Sequence, residues 1–499
     1  MRISNVTILL SLLVSLLSVV PHIRAYFATP EGHFFIGVNT VTNLADIQGV
    51  YFPAMQKFSE GEILYMNPYD SFQAPYFVFP LYVVLGKIVG LTNLPVEFVF
   101  HLAAFIIGFF FLLFIFNFLK LYFDDFKRRL LAFGLAVFGG LFLFAVPEGT
   151  GFFSLTIPHF IVAQFTLFGC FYYLILISKS GKVRFGQLTL FFMASLVLSA
   201  IHPWMVVPLV ISFFLWRLIL KVKKERVGFL LLLSLVLIGT SLPFLIYYQQ
   251  NIPWVSYPLP SSMFSVLLLY GPFLAVGLIG FVIKIRNKKT DAWLFLLIWF
   301  FVEMVFAHLP LPFQRRFFEG IYLPLAIFAV VGIDGLIDVF NLRKSINIVY
   351  SNAFVYLSLG VIATYVGLIV QIPGDFIYRR VEEKQAVKFF DEYSRPNDKV
   401  LSLPFTGVFI ASSANVQIFI GQAIQTPNFE RKNKIVKAYY GGELNDEDRE
   451  SLIQSENVCF VYVGPEEEKI NRIDFEKEDY LVKFYSNNLV EIYKTKWCS

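Results

Sequence analysis

The sequence predicts a mostly α-helical, polytopic membrane protein: a transmembrane bundle of about eleven spans, juxtamembrane helices in the first outward loop, and a small outward α/β domain at the C-terminal end. Three observations predict it. Of 499 residues, 57% are apolar and only 15% charged, with a mean hydropathy of +0.65; soluble domains stand nearer half apolar and a quarter charged. The excess falls in blocks of roughly twenty residues, enough to cross about 30 Å of hydrocarbon as helix. Backbone in lipid must satisfy its own hydrogen bonds, so such blocks are helices. From residue 375 onward the blocks stop and charge becomes dense, as in RRVEEKQAVKFFDEY.

The first block, 6–27, follows a single Arg2. Pro21, His22 and Arg24 make a poor small-residue cleavage site, so it reads as an anchor more readily than as a cleaved signal. Either way, the chain after it lies outside. Further spans are expected at 96–122, 129–146, 157–178, 186–201, 204–220, 227–248, 263–283, 292–308, 317–340 and 347–371. The stretch 76–89 (YFVFPLYVVLGKIV) is apolar but short. Counted as a span, it would put Lys127, Arg128 and Arg129 outside. As an interfacial helix, it lets every later loop obey the positive-inside rule. Lys179, Lys182 and Arg184, then Lys221 to Arg226, Lys284 to Lys289, and Arg343 with Lys344 then all face the cytoplasm. The opposite loops near Glu148, near His202 and across 249–262 carry no Lys or Arg. This places the N-terminus in the cytoplasm and the C-terminal domain outside a multi-pass cell membrane. It also accounts for the net charge of +5, so no nucleic-acid partner is called for.

The expected boundaries are 1–374 for the transmembrane domain, with 28–95 as its first outward loop, and 375–499 for the extracytoplasmic domain. In the latter, the RRVEEKQAVKFFDEY segment has the period of an amphipathic helix. Short strands are expected at 400–404, 417–420 and 458–463, with a hairpin of 480–485 and 489–493 around Ser486-Asn487-Asn488. Asn445 or Asp446 can cap a helix running to 454. Cys170, Cys459 and Cys498 show no paired spacing, so neither a disulfide framework nor a zinc motif is expected. There is no HExxH, no P-loop and no GxGxxG, which argues against an ATP-driven pump and a dinucleotide enzyme.

Polar residues at the outward side then need reasons. Loops as long as 28–95 are usually functional or hold structure of their own. Its segment 46–60 (DIQGVYFPAMQKFSE) has helical spacing, with Val50, Ala54 and Phe58 on one face, and Asn67-Pro68-Tyr69-Asp70 ends it. Asp46 opens that helix, where a negative charge is also favoured by the helix dipole alone, by about 0.3–1 kcal/mol. A second cluster is 310–320 (PLPFQRRFFEG), on the short outward loop before the tenth span. Arg315 and Arg316 break the charge bias there. A guanidinium fork matches phosphate oxygens, and at the outer interface those belong to a lipid headgroup or a lipid-linked phosphate. Pairing with Glu319, or snorkelling to ordinary headgroups, are the plainer alternatives. His159 and His202 fall at outward span ends beside prolines, near Glu148 and Trp204. Histidines so placed can bond a phosphate or sugar hydroxyl, or be satisfied interfacial groups. Glu303 lies inside the ninth span, and intramembrane acids face a cavity or a partner, here Arg315 or Arg316.

This arrangement resembles the GT-C class of membrane glycosyltransferases. Asp46 in NLADIQGVYFPAMQKFSEGEILYMNPYDS looks like the acid that the class places in its first outward loop. APYFVFPLYVVLGKIVGL is similar to its juxtamembrane proline-rich segment, with Ala74-Pro75 where that segment has a Lys-Pro-Pro lead. LPFQRRFFEGIYLPLAIFAVVGI, IHPW and TIPHF resemble segments of poorly characterised prokaryotic members. The resemblance implies an inverting transfer of a sugar from a polyprenyl-phosphate donor to a glycan, lipid or protein acceptor, within membrane lipid and without a metal or other cofactor. It implies Asp46 as the general base and Arg315 and Arg316 as the donor-phosphate clamp. Asp70, Glu148, His159, His202, Glu303 and Glu319 are further candidates for substrate contacts. No acid adjoins Asp46; Asp70 is the nearest other aspartate of the loop. Oligosaccharyltransferases share the layout but carry a Trp-Trp-Asp-Tyr-Gly-like run, and here the only tryptophan of the C-terminal region is Trp497. A secondary transporter, a lipid flippase and a non-catalytic envelope scaffold are the competing classes. Transporters often carry internal repeats, and none is visible here.

Overall fold

A computed structural model describes residues 5–39, 46–70, 72–78, 80–139, 151–180, 185–220, 224–251, 263–286, 291–311, 314–342, 348, 350, 352, 355 and 377–498. The chain divides into two compact units: Met1–Val20 with His101–Gly367, and Pro21–Phe100 with Leu368–Ser499.

The first unit is helical. Its helices include most of α1 (Asn5–Phe27) and of α4 (Val96–Phe118), with α5 (Phe126–Phe138), α6 (Pro158–Ser180), α7 (Phe185–Ile201), α8 (Val206–Leu220), α9 (Lys224–Asn251), α10 (Met263–Arg286), α11 (Asp291–Phe306) and α12 (Tyr322–Val339). Most lie within about five residues of an expected span, whereas α5 ends at Phe138 and the rest of the span expected at 129–146 lies almost wholly outside the described residues. Among the described residues, four helices are long and apolar enough to cross a membrane: Asn5–Phe27, Val96–Leu121, Pro158–Leu176 and Tyr322–Val339. The span expected at 347–371 lies almost wholly outside the described residues. Local chemistry sets several boundaries. Asp125 caps α5 by accepting from the Arg128 amide. Glycines let α10 and α12 touch backbone to backbone, since a Cβ on Gly280 would stand 1.8 Å from the Phe328 carbonyl oxygen.

The second unit joins residues 21–100 to the C-terminal region, two segments that the sequence boundaries assign to different domains. Strand β1 (His33–Phe35) pairs antiparallel with β2 (Tyr378–Arg380). From the first segment come a π-helical turn at Ile47–Tyr51, α2 (Phe52–Ser59) and α3 (Pro80–Thr92). At about 1.5 Å per residue, the 13 residues of α3 fall well short of a span. Instead it packs on α2, where a Cβ on Gly90 would meet the Ser59 carbonyl at 2.5 Å.

The C-terminal region builds a five-stranded sheet in the order β4-β3-β5-β7-β6, from β3 (Lys399–Leu401), β4 (Gln417–Ile418), β5 (Val458–Val463), β6 (Leu481–Ser486) and β7 (Glu491–Thr495). β3 runs parallel to β4 and β5, whereas β7 runs antiparallel to β5 and β6. All six residues of β5 are buried, because helices cover both faces of the sheet. Phe460 and Tyr462 pack on α13 (Val381–Tyr393) and α14 (Pro404–Ser413). Val461 and Val463 pack with Tyr439 and Tyr440 of α15 (Phe429–Tyr440) and Ile453 of α16 (Asp446–Ser455). The expected amphipathic helix is α13, and Asn445 caps α16 by accepting from the Asp448 amide.

One expectation is overturned. Cys459 and Cys498 form a disulfide, 39 residues apart with Cα atoms 5.3 Å apart. Their spacing carries no motif. The sheet brings them together by pairing β5 beside β7, so that the chain leaving β7 passes the start of β5.

Candidate active site

The sequence-predicted residues fall into two groups, one in each unit. Asp46 stands at the N-terminal edge of the π-helical turn, partly buried, and makes no side-chain capping bond to that turn. The five turn residues are buried, and Pro53, four residues on, has no N–H to offer the Gly49 carbonyl, which accepts from the Tyr69 hydroxyl at 2.9 Å. Burial holds the Tyr69 phenol well above its ordinary range, so it remains a donor. Tyr51 stacks on Tyr82 at 4.8 Å, fixing the far end of the turn. Val50, Ala54 and Phe58 are all buried, as their spacing predicts.

Around Asp46 the first loop and the C-terminal domain share hydrogen bonds. Gln422 Nε2 donates to Asp46 Oδ1 at 3.0 Å. Asn67 Nδ2 donates to the Gln425 carbonyl at 3.0 Å, and the Ile418 amide to the Pro68 carbonyl at 2.7 Å. Asp70 is only partly buried; it accepts from the Phe72 amide at 3.0 Å and so closes the turn that ends the segment.

The other group belongs to the helical unit. Glu319, fully buried, accepts at Oε2 from His202 Nδ1 at 2.7 Å. Its Oε1 lies 3.5 Å from a guanidinium nitrogen of Arg316. The same guanidinium sits 4.8 Å from the centre of the Phe160 ring. His159 and His202 meet edge to face at 5.4 Å, and Trp204 stacks on His202 at 4.9 Å. Behind them Tyr322 donates to Gln164 Oε1 at 2.6 Å, and Gln164 Nε2 donates to Ser154 Oγ at 2.8 Å. His159, His202, Arg316 and Glu319 therefore converge on one buried polar cluster. The 3₁₀ turn Gln314–Phe318 carries the arginine into it.

Glu303 is fully buried on α11, within electrostatic range of Glu319, Tyr270 and Tyr322. Its carboxylate lies near the Trp299 side chain and is not paired with Arg316; the other expected partner, Arg315, has its side chain outside the described residues. Arg316 takes Glu319 instead, three residues along its own turn. His308 bonds the Met304 carbonyl at 2.7 Å. Glu148 and the side chain of Arg315 lie outside the described residues. Among the described residues, the one group with three candidate metal-ligand atoms is Asp398, Cys459 and Cys498, and the disulfide engages both sulfurs.

Sequence reasoning missed Gln422, Tyr69, Gln164 and Tyr322. Gln422 stands 376 positions from the aspartate that it bonds, and no local pattern marks it.

No family model matches this sequence, and no curated protein matches it. Solved structures do. The chain is similar to the archaeal oligosaccharyltransferase AglB of Archaeoglobus fulgidus in complex with an inhibitory peptide and a dolichol-phosphate, with a TM-score of 0.61 and 14% identity, covering 92% of this chain and 70% of that one. The same enzyme in complex with zinc and sulfate matches at 0.61 and 14%, over 98% and 73%. ArnT from Cupriavidus metallidurans, bound to undecaprenyl phosphate, matches at 0.56 and 12%, over 96% and 97%. At such identities the likeness is one of fold. The chain shares the fold of these solved structures, in keeping with the resemblance that the sequence motifs carry.

Proposed function

We propose that this protein is an inverting membrane glycosyltransferase that moves a sugar from a polyprenyl-phosphate donor to an acceptor hydroxyl on the extracytoplasmic side. The observation that carries this reading is the fold likeness over more than nine-tenths of the chain to AglB in complex with a dolichol-phosphate and to ArnT bound to undecaprenyl phosphate. In the proposed reaction the acceptor oxygen attacks the anomeric carbon, and Asp46 takes the hydroxyl proton. The bond from that carbon to the phosphate oxygen breaks, and polyprenyl phosphate leaves with the electron pair. Arg315 and Arg316 neutralise its charge, Arg316 being oriented by Glu319. His159 and His202 supply hydrogen bonds to phosphate or sugar hydroxyls, and Glu303 lines the same cluster. Asp70 shapes the loop behind Asp46, and Glu148 is a further candidate contact. The disulfide supports an outward C-terminal domain, because disulfides persist in oxidising compartments.

The test is a panel of radiolabelled dolichyl- and undecaprenyl-monophosphate hexoses and pentoses, presented to the protein in lipid nanodiscs. Release of polyprenyl phosphate from at least one donor is expected, and Asp46→Asn should slow it by about 10²–10⁴-fold. A wild-type rate in Asp46→Asn, or labelled-solute counterflow in vesicles with no donor consumed, would overturn the reading.

A further inference from the structure

We infer that Gln422 is the positioning residue for Asp46, so that the C-terminal domain completes the catalytic machinery of the first loop. This rests on the reading of Asp46 as the base.

The contact is directional. Gln422 Oε1 accepts from the Gln425 backbone N–H at 2.7 Å. An amide has its acceptor on one side and its donors on the other, so that bond fixes which side faces Asp46. The amide NH₂ therefore points at Oδ1 of the carboxylate, at 3.0 Å. A donor so placed favours the ionised carboxylate and restrains its orientation.

The contact is also built on both sides. The loop holding Gln422 is closed by the Thr426 amide on the Gln422 carbonyl at 3.0 Å and by the Gly421 amide on Thr426 Oγ1 at 3.1 Å. Gln422, Gln425 and Thr426 are all buried. Opposite, Gly49 lets the glutamine approach, since a Cβ there would stand 2.9 Å from that of Gln422. Gly421 makes room for Tyr69, whose ring a Cβ would meet at 2.1 Å, and the same tyrosine bonds the Gly49 carbonyl. Two glycines, a tyrosine and a closed loop thus converge on one hydrogen bond to the aspartate.

The experiment uses the full chain in nanodiscs with whichever dolichyl- or undecaprenyl-phosphate sugar the panel identifies. Gln422→Met removes the donor at nearly constant volume. Gln422→Glu keeps an acceptor for the Gln425 amide and replaces the donor to Asp46 with a second carboxylate, which opposes its ionisation. Each variant should lower kcat by about 10- to 100-fold with the donor KM within about twofold, because a small misplacement of a reacting group costs that much. In the Asp46→Asn background, adding Gln422→Met should change kcat by less than about twofold, since the two residues act as a unit. Wild-type kcat in both variants, a change in KM alone, or an equal loss in the two backgrounds would overturn the inference. If Asp46→Asn itself matches the wild type, it is the catalytic reading that fails. A fall in thermal stability shared by Met and Glu with unchanged kcat would assign Gln422 a purely structural role.

Discussion

Glu319 illustrates how one side chain can satisfy a plain and a functional description together. It pairs with Arg316, as an acid three residues along is free to do, and its other oxygen holds His202. Removing one partner of a buried charged pair leaves the rest uncompensated, at a cost of about 3–5 kcal/mol. Glu319→Ala should therefore lower the Tm of the purified protein and weaken binding of polyprenyl phosphate. Glu319→Gln, which keeps an acceptor for His202, should retain more of both; equal Tm values for the two variants would contradict this. Glu467 gives a prediction of the opposite kind. It accepts from the Leu403 and Gly464 amides at 2.8 and 3.3 Å, yet burial dominates and pushes its carboxyl up from 4.5 to about 7. An acid whose pKa is raised by folding holds its proton longer in the folded chain. Its favourable contribution is thus complete below pH 4.5 and is lost as pH rises through about 7. Glu467→Gln should gain in Tm relative to wild type as pH rises from roughly 5 to 8, and a constant difference would contradict that sign.

At the scale of elements, the α10–α12 seam depends on glycine. A methyl at Gly280 would lie 1.8 Å from a backbone carbonyl, which no side-chain rotation relieves, whereas one at Gly239 meets nothing within 4 Å. Gly280→Ala should destabilise by at least the roughly 1–3 kcal/mol of an overpacked core, and Gly239→Ala should leave Tm within a degree or two. Equal Tm values would mean that the helices are not in backbone contact. The helices themselves were legible, because twenty-residue apolar blocks and loop charges are strong, periodic signals. So was β5, a continuous run of VCFVYV, and so was the Asn445 cap. Helices α14 and α15 were not. PFTGVFIASS is short, apolar and β-branched, so its composition fits a strand as well as a helix. The π-helical turn at 47–51 was not foreseen either; its one sequence correlate is Pro53, which has no N–H for the Gly49 carbonyl that Tyr69 bonds.

At the scale of the whole molecule, what the sequence hid was assembly at long range. A reading by composition divides the chain at residue 375, whereas the compact units interleave it, grouping residues 21–100 with the C-terminal region. The Asp46–Gln422 bond is a product of that arrangement and the Cys459–Cys498 disulfide of the β5–β7 pairing, and neither has a local motif. The disulfide closes a 39-residue separation, for which loop-closure entropy gives about 3–4 kcal/mol. Cys498→Ser should lower Tm, and in the intact protein both cysteines should resist alkylation until reductant is added. Free alkylation in protein taken directly from cells would place the domain in a reducing compartment and contradict the outward topology. The most direct measurement is a cryo-EM structure of the protein in nanodiscs with undecaprenyl phosphate bound. The proposed mechanism requires carboxylate and phosphate to flank one reacting centre. It therefore predicts the phosphate against the guanidinium groups of Arg315 and Arg316, with the Asp46 carboxylate within roughly 10 Å of phosphorus. A phosphate bound elsewhere, or separated from Asp46 by more than roughly 15 Å, would contradict it.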